Sequence, residues 1–577
     1  MNIRHLHAMV AAALAASSLA ACGDNDNNNG NNNGNGGTPV QALPQLAAAT
    51  GAKLASCADL AAKLSFTDTT ISAVNPIAAG TVTVGGKPVA AHCLVAGKMS
   101  QRTSSVDGQS YAIGFEMRLP LDWNGRFFYQ ANGGVDGSVV TALGPVGGGG
   151  PLDNALNQGF AVISSDAGHG APTPFFGIDP QARLDYGYQA VGKLTPMAKA
   201  LIRLAYGKAP DRSYIGGCSN GGRHTMVAAA RYADQYDGYL VGDPGFRLPL
   251  AAVANIAGGK TYAALASTPG DLGSGFTQAE RKLVSNAVLG KCDALDGSAD
   301  GLVQDTGACQ AAFDLNRDVP TCSGARDGTC LSTAQKTAIA GLFAGAKTET
   351  GKTIYASFPY DAGLAPGGWA SWKFSSPIER DAGAVGLIFQ VPPENPASFN
   401  GAAFVSGGNL DSMLAKVNAI GGVYAESAMS FMTPPNAASL GTLKNRGAKM
   451  LVYHGTSDPI FSSDDTTTWY EALRAANNGD ASNFARFFRV PGMNHCSGGP
   501  ATDQFDMLTP LVAWVEKGQA PDSVGAAARA SGNPGGANAD LPAGWSASRT
   551  RPLCAYPKVA RYKGSGSVED AASFSCQ

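Results

Sequence analysis

From Arg126 onward, short apolar runs alternate with stretches of helical spacing. Arg126-Phe127-Phe128-Tyr129-Gln130 and Ala161-Val162-Ile163-Ser164 are short, largely apolar and followed by glycine-bearing loops, so both predict buried strands. Between Gln189 and Tyr206 the positions Val191, Leu194, Met197, Ala198, Leu201 and Leu204 recur every three or four residues, which predicts a helix. Ser213-Tyr214-Ile215-Gly216 predicts another strand, followed by a helix-like run with Met226, Val227 and three alanines. Lys449 to Tyr453 and Phe484 to Val490 predict two late strands. Such alternation implies an α/β sheet with helices on its faces.

The chemistry sits where these strands end. Gly217-Cys218-Ser219-Asn220-Gly221 lies between a predicted strand and a predicted helix. That is the setting of a nucleophile elbow, in which two glycines relieve crowding so that the serine hydroxyl projects above the sheet. A chance Gly-x-Ser-x-Gly is the bland alternative. Asp458 follows the strand at Lys449, and His495 follows the strand at Phe484 in a glycine-rich loop. The order Ser219, Asp458, His495 is that of the α/β-hydrolase triad and not that of chymotrypsin-like or subtilisin-like enzymes. The expected fold is therefore an α/β-hydrolase core with a large inserted lid. The core would comprise residues 45–245 and 438–577, and the lid 246–437, over the carboxyl ends of the strands.

Composition narrows the setting. The chain has 577 residues, 42 Lys+Arg against 44 Asp+Glu and a net charge of −2, which argues against a nucleic-acid partner. Arg4 and the apolar run Met9 to Ala21 form an export signal over residues 1–22, too short to span a bilayer. Leu19-Ala20-Ala21-Cys22 resembles a bacterial lipobox, which would lipidate Cys22; ordinary secretory cleavage is the alternative. By the same resemblance, Gly rather than Asp at position 23 implies the outer membrane. Residues 23–44, rich in Asn and Gly, form a tether that cannot pack a core. An exported outer-membrane lipoprotein, or a periplasmic or extracellular protein, follows, with the lipid as its sole membrane contact and a monomer as its expected state.

Eleven cysteines support export. Without Cys22 ten remain, and short loops suggest Cys292–Cys309, Cys322–Cys330 and Cys554–Cys576, with Cys57–Cys93 near the start. Cys218 and Cys496 are left over, and each adjoins a candidate catalytic residue. If Ser219 and His495 touch, their neighbours can bridge. Between Cys292 and Cys309, Asp293, Asp296 and Asp300 alternate with glycines. They can wrap a structural Ca2+ with backbone carbonyls, at Ser298 and Leu302, completing the shell; a solvated acidic turn is the alternative.

Together Cys218-Ser219, Asp458 and His495-Cys496 resemble the arrangement of the tannase and feruloyl esterase family. The resemblance extends to Trp123-Asn124-Gly125-Arg126-Phe127-Phe128, the acidic loop, and Val490 through Gly499. It implies hydrolysis of small aromatic-acid esters through an acyl-enzyme, one calcium in the lid and no organic cofactor. The oxyanion would be met by the amides of Asn220 and, by alignment with the family, Gly134, beside Gly133. Leu248 and Phe461 match positions that sandwich an aromatic acyl ring, although either could be ordinary core, and Trp372 matches a lid aromatic. Family members acting on terephthalate monoesters hold the free carboxylate with a lid arginine near a Phe-Ser pair. Arg380 lies in that neighbourhood, but Asp381-Ala382-Gly383 follows and no such pair is present. Feruloyl or galloyl esters are therefore the expected substrates, with a terephthalate monoester as the alternative and an inactive lipid-anchored binding protein as the alternative of another class.

Overall fold

The computed structural model describes residues 43–577, so the expected signal, Cys22 and the expected tether as far as Ala42 lie outside the described residues. The described residues form one compact unit. Its frame is a nine-stranded sheet. In chain order the strands are β1 (Thr69–Ile77), β2 (His92–Thr103), β3 (Ser110–Pro120), β4 (Arg126–Gln130), β5 (Ala161–Ser165), β6 (Arg212–Cys218), β7 (Gly238–Gly242), β8 (Lys449–Gly455) and β9 (Ala485–Val490). Their spatial order is β9-β8-β7-β6-β4-β5-β3-β2-β1. The six strands from β9 to β5 are parallel, and β3, β2 and β1 continue the sheet antiparallel.

The pairing explains the sequence pattern. Strands β5, β7 and β8 are buried at every position, because helices cover both faces of the parallel half. Helix α1 (Ala190–Tyr206) buries Val191, Leu194, Met197, Ala198 and Leu201, and Gly207 ends it in a left-handed C-cap at φ 74°. Leu204, expected on the same stripe, is exposed instead. Tyr206, two residues further on, is buried and still donates to the Pro120 carbonyl of β3 at 2.7 Å, so Leu204 sits on the flank of the buried stripe, which apolar spacing alone does not distinguish from core. Helix α2 (Asn220–Arg231) follows β6 directly and packs on β6 and β7.

Between β7 and β8 the chain leaves the sheet for a mainly helical insertion that begins with α3 (Leu248–Leu265). Helix α3 is buried on most sides, and its Val253 and Ile256 join the same apolar cluster as sheet residues Tyr129 and Val452. After β9 come a small antiparallel sheet of Gln504–Phe505, Ser523–Ala527 and Thr550–Cys554, and a helix, Leu508–Lys517. Among the described residues no helix is long and apolar enough to cross a membrane. All five expected disulfides are present: Cys57–Cys93, Cys218–Cys496, Cys292–Cys309, Cys322–Cys330 and Cys554–Cys576. Such a set fits a chain that is exported and folds in an oxidising compartment.

Candidate active site

Ser219 occupies the one-residue corner between β6 and α2, with φ 67° and ψ −126°, a conformation that residues with side chains rarely adopt. Steric demand fixes the flanking glycines. A Cβ on Gly217 would stand 2.1 Å from the Ala131 carbonyl oxygen, and one on Gly221 2.3 Å from the same atom. The Ser219 amide donates to the Gly242 carbonyl at 3.0 Å, so the corner is wedged between the ends of β4 and β7.

His495 reaches this corner from the loop after β9. Its Nε2 lies 2.8 Å from Ser219 Oγ and its Nδ1 lies 2.7 Å from Asp458 Oδ2. A carboxylate only accepts, so Nδ1 carries the proton and Nε2 is free to accept the serine hydroxyl. The other oxygen of Asp458 accepts the amides of Ile460 at 2.8 Å and Phe461 at 3.1 Å. Burial alone would raise the Asp458 carboxyl, but His495 and His454 outweigh it and hold the group below the ordinary carboxylate range. The Cys218–Cys496 bridge joins the residues flanking Ser219 and His495, with Cα atoms 6.0 Å apart.

A second histidine stands behind Asp458. His454 Nε2 is 3.3 Å from Asp458 Oδ2, 3.8 Å from Asp243 Oδ1 and 3.0 Å from the Phe461 carbonyl, while its Nδ1 meets Thr466 Oγ1 at 2.8 Å. Three acceptors around Nε2 put the proton there. Burial lowers the His454 imidazole, but Asp458 and Asp243 more than offset this and raise it. Asp243, on the turn after β7, is fully buried and pushed up to about 7, chiefly by that burial.

On the opposite flank the loop after β4 carries Gly133, Gly134 and Asp136. A Cβ on Gly133 would lie 3.8 Å from Ser219 Cβ, so this loop runs alongside Ser219. Asn220 N–H is the first amide of α2, one of those a helix leaves without an internal acceptor. Buried Asp136 fastens the two pieces by accepting Asn220 Nδ2 at 2.8 Å and His224 Nε2 at 2.9 Å. Burial drives the His224 imidazole well below its usual value, so it is neutral here.

A cavity of about 420 Å³ opens from Ser219 and is lined by Leu248, Trp372, Arg380 and Phe461, with Gly133 and Gly134 at its edge. The Trp372 and Phe461 rings stand edge-on to His495, with centroids 5.0 and 5.3 Å away. The Arg380 guanidinium lies 4.7 Å over Trp372. Leu248, Trp372 and Arg380 come from the insertion, and Phe461 from the loop after β8.

Away from the cavity, the acidic loop follows a helix over Gln278–Cys292. Asp293 accepts the amides of Asp300 and Gly301, and Asp300 pairs with buried Arg551. Asp296 Oδ2 is buried without a partner. One arginine among three carboxylates leaves negative charge uncompensated, and an all-oxygen donor set of this kind fits a hard divalent cation.

The sequence-derived residues Ser219, Asn220, Gly133, Gly134, Leu248, Trp372, Arg380, Asp458, Phe461 and His495 thus come together, and the acidic loop forms a separate cluster. Sequence reasoning missed Asp136, His224, Asp243 and His454. Only His454 carried a signal, four residues before Asp458 at the end of a buried strand.

Residues 93–577 match the family model for tannase and feruloyl esterase. A mono(2-hydroxyethyl) terephthalate hydrolase of Piscinibacter sakaiensis is 41% identical over 526 residues, covering 84% of either chain. Among solved structures, feruloyl esterase B from Aspergillus oryzae superposes with a TM-score of 0.68 at 24% identity, over 91% of this chain and 100% of that one. A second Aspergillus oryzae esterase reaches 0.72 at 23% identity, over 90% and 99%. These neighbours share the α/β-hydrolase fold, and the chain belongs to the tannase and feruloyl esterase family of ester hydrolases.

Proposed function

We propose that the protein is an exported serine esterase that cleaves small aromatic-acid esters through an acyl-enzyme. The reading rests on one observation, the continuous hydrogen-bonded chain from Ser219 Oγ through both nitrogens of His495 to Asp458. Ser219 attacks the ester carbonyl while His495 Nε2 takes its proton. Asp458 keeps the ring in the required tautomer and offsets the charge of the imidazolium. The amides of Asn220 and Gly134 receive the oxyanion, and losing one such donor costs roughly 3–4 kcal/mol of barrier. His495 returns its proton to the departing alcohol, and water, deprotonated by the same ring, releases the acid.

In this reading residues 246–437 act as a lid, and Leu248, Trp372 and Phe461 enclose the aromatic ring of the acyl group. Asp293, Asp296 and Asp300, with the backbone oxygens of Ser298 and Leu302, would hold Ca2+. The ion would supply local charge balance and no step of the reaction. A lipid on Cys22 would tether a monomer to the membrane.

A second reading of the acyl group is favoured by Arg380. Its guanidinium faces the cavity over Trp372, and among the described residues it makes no ion pair, so it could receive a substrate carboxylate. The 41% identical terephthalate hydrolase accords with this. The test compares methyl ferulate, methyl gallate and mono(2-hydroxyethyl) terephthalate with the parent, Ser219→Ala and Arg380→Ala. Ser219→Ala should lose at least about 10³-fold in kcat on every ester. Undiminished turnover by that variant would sink the proposal. Selective loss of terephthalate turnover in Arg380→Ala would identify the carboxylate-bearing substrate.

A further inference from the structure

A short stretch of the insertion, Asp361-Ala362-Gly363, lies between the loop that carries Asp458 and the loop that carries His495. Asp361 is fully buried, and its Oδ2 accepts both the Thr456 hydroxyl and, at 3.0 Å, the Gly492 amide. The Gly363 amide donates to Ser457 Oγ at 3.0 Å, and the Gly363 carbonyl accepts Asn494 Nδ2 at 2.9 Å. Thr456 and Ser457 are the two residues before Asp458, and Asn494 is the residue before His495. The insertion therefore grips each loop twice, next to the side chain that matters.

This grip has little freedom. A Cβ on Gly363 would stand 2.5 Å from Ser457 Cβ and 2.8 Å from the Gly492 carbonyl oxygen, so any side chain there pushes the two loops apart. A buried carboxylate without a cation is costly unless its hydrogen bonds are made, and Asp361 meets only the neutral donors of Thr456, Gly492 and Ala362. On the insertion side, buried Arg281 donates to the carbonyls of Leu364 at 2.9 Å and of Ala365 and Pro366 at 3.2 Å, which anchors the stretch to the helix over Gln278–Cys292. Two direct backbone bonds also join the loops, Thr456 to the Val490 carbonyl and Ser457 to that of Met493, each at 3.0 Å. The insertion thus refines an alignment that the strands begin. None of Asp361, Ala362 and Gly363 lines the aromatic cavity.

We infer that Asp361 and Gly363 are positioning residues, which set the spacing of Asp458 and His495 from the insertion, so that the insertion helps to assemble the triad as well as enclosing the acyl group. The inference rests on the proposed roles of Ser219, His495 and Asp458.

The test compares p-nitrophenyl acetate, whose short acyl group has no ring for the aromatic cavity, with methyl ferulate. Rates are expressed per active site, titrated to completion with a fluorophosphonate. Asp361→Leu and Gly363→Ala should lower kcat on both esters about 10- to 100-fold with KM within about threefold, as expected for a small displacement of base from nucleophile. The downfield proton resonance of His495 Nδ1 should shift or broaden with it. Asp361→Asn keeps an acceptor for Thr456 and Gly492 and should recover most of kcat. A stretch that serves only the folding of the insertion would change the number of titratable sites and leave kcat per site and the resonance at parent values, which overturns the inference. A loss confined to KM for methyl ferulate also overturns it, because it assigns the stretch to the acyl pocket. Should Asp361→Leu and Gly363→Ala not fold, Ser457→Ala removes a single hydroxyl from the grip and should lower kcat per site about fivefold; a parent value there overturns the inference. A parent inert on both esters, or Ser219→Ala as active as the parent, overturns the triad reading itself.

Discussion

Individual side chains here carry charge into places where water does not reach. Asp166 is one of them. It accepts the amides of Gly114 and Gly168, each at 2.9 Å, and burial pushes its carboxyl up to about 7. An unfolded aspartate titrates near 3.9, so between roughly pH 4 and 7 the folded protein binds the extra proton. Its stabilising contribution is complete below the unfolded value and is lost as pH rises through about 7. Asp166→Asn keeps the acceptor and removes the titration. The fall in denaturant-measured stability between pH 5 and 8 should therefore shrink by up to about 3 kcal/mol in the variant, and an unchanged slope would refute this assignment. Residues differ in how far the sequence reveals them. Ser219 was legible because its corner tolerates only glycine at 217 and 221, a demand that leaves a five-residue signature. Asp243 and Asp136 were not. Their partners arrive through strand adjacency and a loop crossing, and neither of these writes a local pattern.

Secondary elements bring the Ser219 and His495 loops near one another, and a covalent strap links them. The Cys218–Cys496 bridge links the end of β6 to the loop after β9, across β7 and β8. Its sequence separation of 278 residues gives a chain-entropy ceiling of about 6 kcal/mol, reduced because β6 and β9 are already held by the sheet. Its larger effect should be on geometry, since a displacement of about 1 Å between nucleophile and base can cost about 10²-fold. Cys218→Ala/Cys496→Ala should retain its far-UV spectrum and lose about 10- to 100-fold in kcat on a p-nitrophenyl ester. Full activity would show that the sheet alone aligns Ser219 and His495. The parallel half of that sheet was readable from its unbroken apolar runs. The antiparallel strands β1 to β3 were not, because one face is partly wet and Lys98, Gln101 and Arg102 interrupt the run in β2.

At the level of the whole molecule, the C-terminal segment clasps the acidic loop. Arg549 donates to the Asp300 carbonyl at 2.7 Å, Arg551 pairs with the Asp300 carboxylate, and Arg561 donates to the Leu295 carbonyl at 2.9 Å and to Asp305 at 2.8 Å. From that loop Leu302 reaches the His495 loop, where a Cβ on Gly492 would meet its Cδ2 at 3.4 Å. A bound divalent ion would thus brace insertion, C-terminus and histidine loop together. Chelation with EGTA should lower the unfolding temperature by about 3–5 °C, with recovery on added Ca2+ and no response in Asp296→Asn. Identical melting with and without chelator would refute the cation. The bridges also bear on how the chain is made. Four join cysteines that are consecutive in the described sequence, whereas Cys218 bypasses four others to reach Cys496. A catalyst that oxidises thiols strictly in order of translocation would join Cys218 to Cys292, Cys309 to Cys322 and Cys330 to Cys496, three wrong pairs arising from one skipped partner. Correctly paired material is therefore expected from an oxidising host that can also reshuffle disulfides.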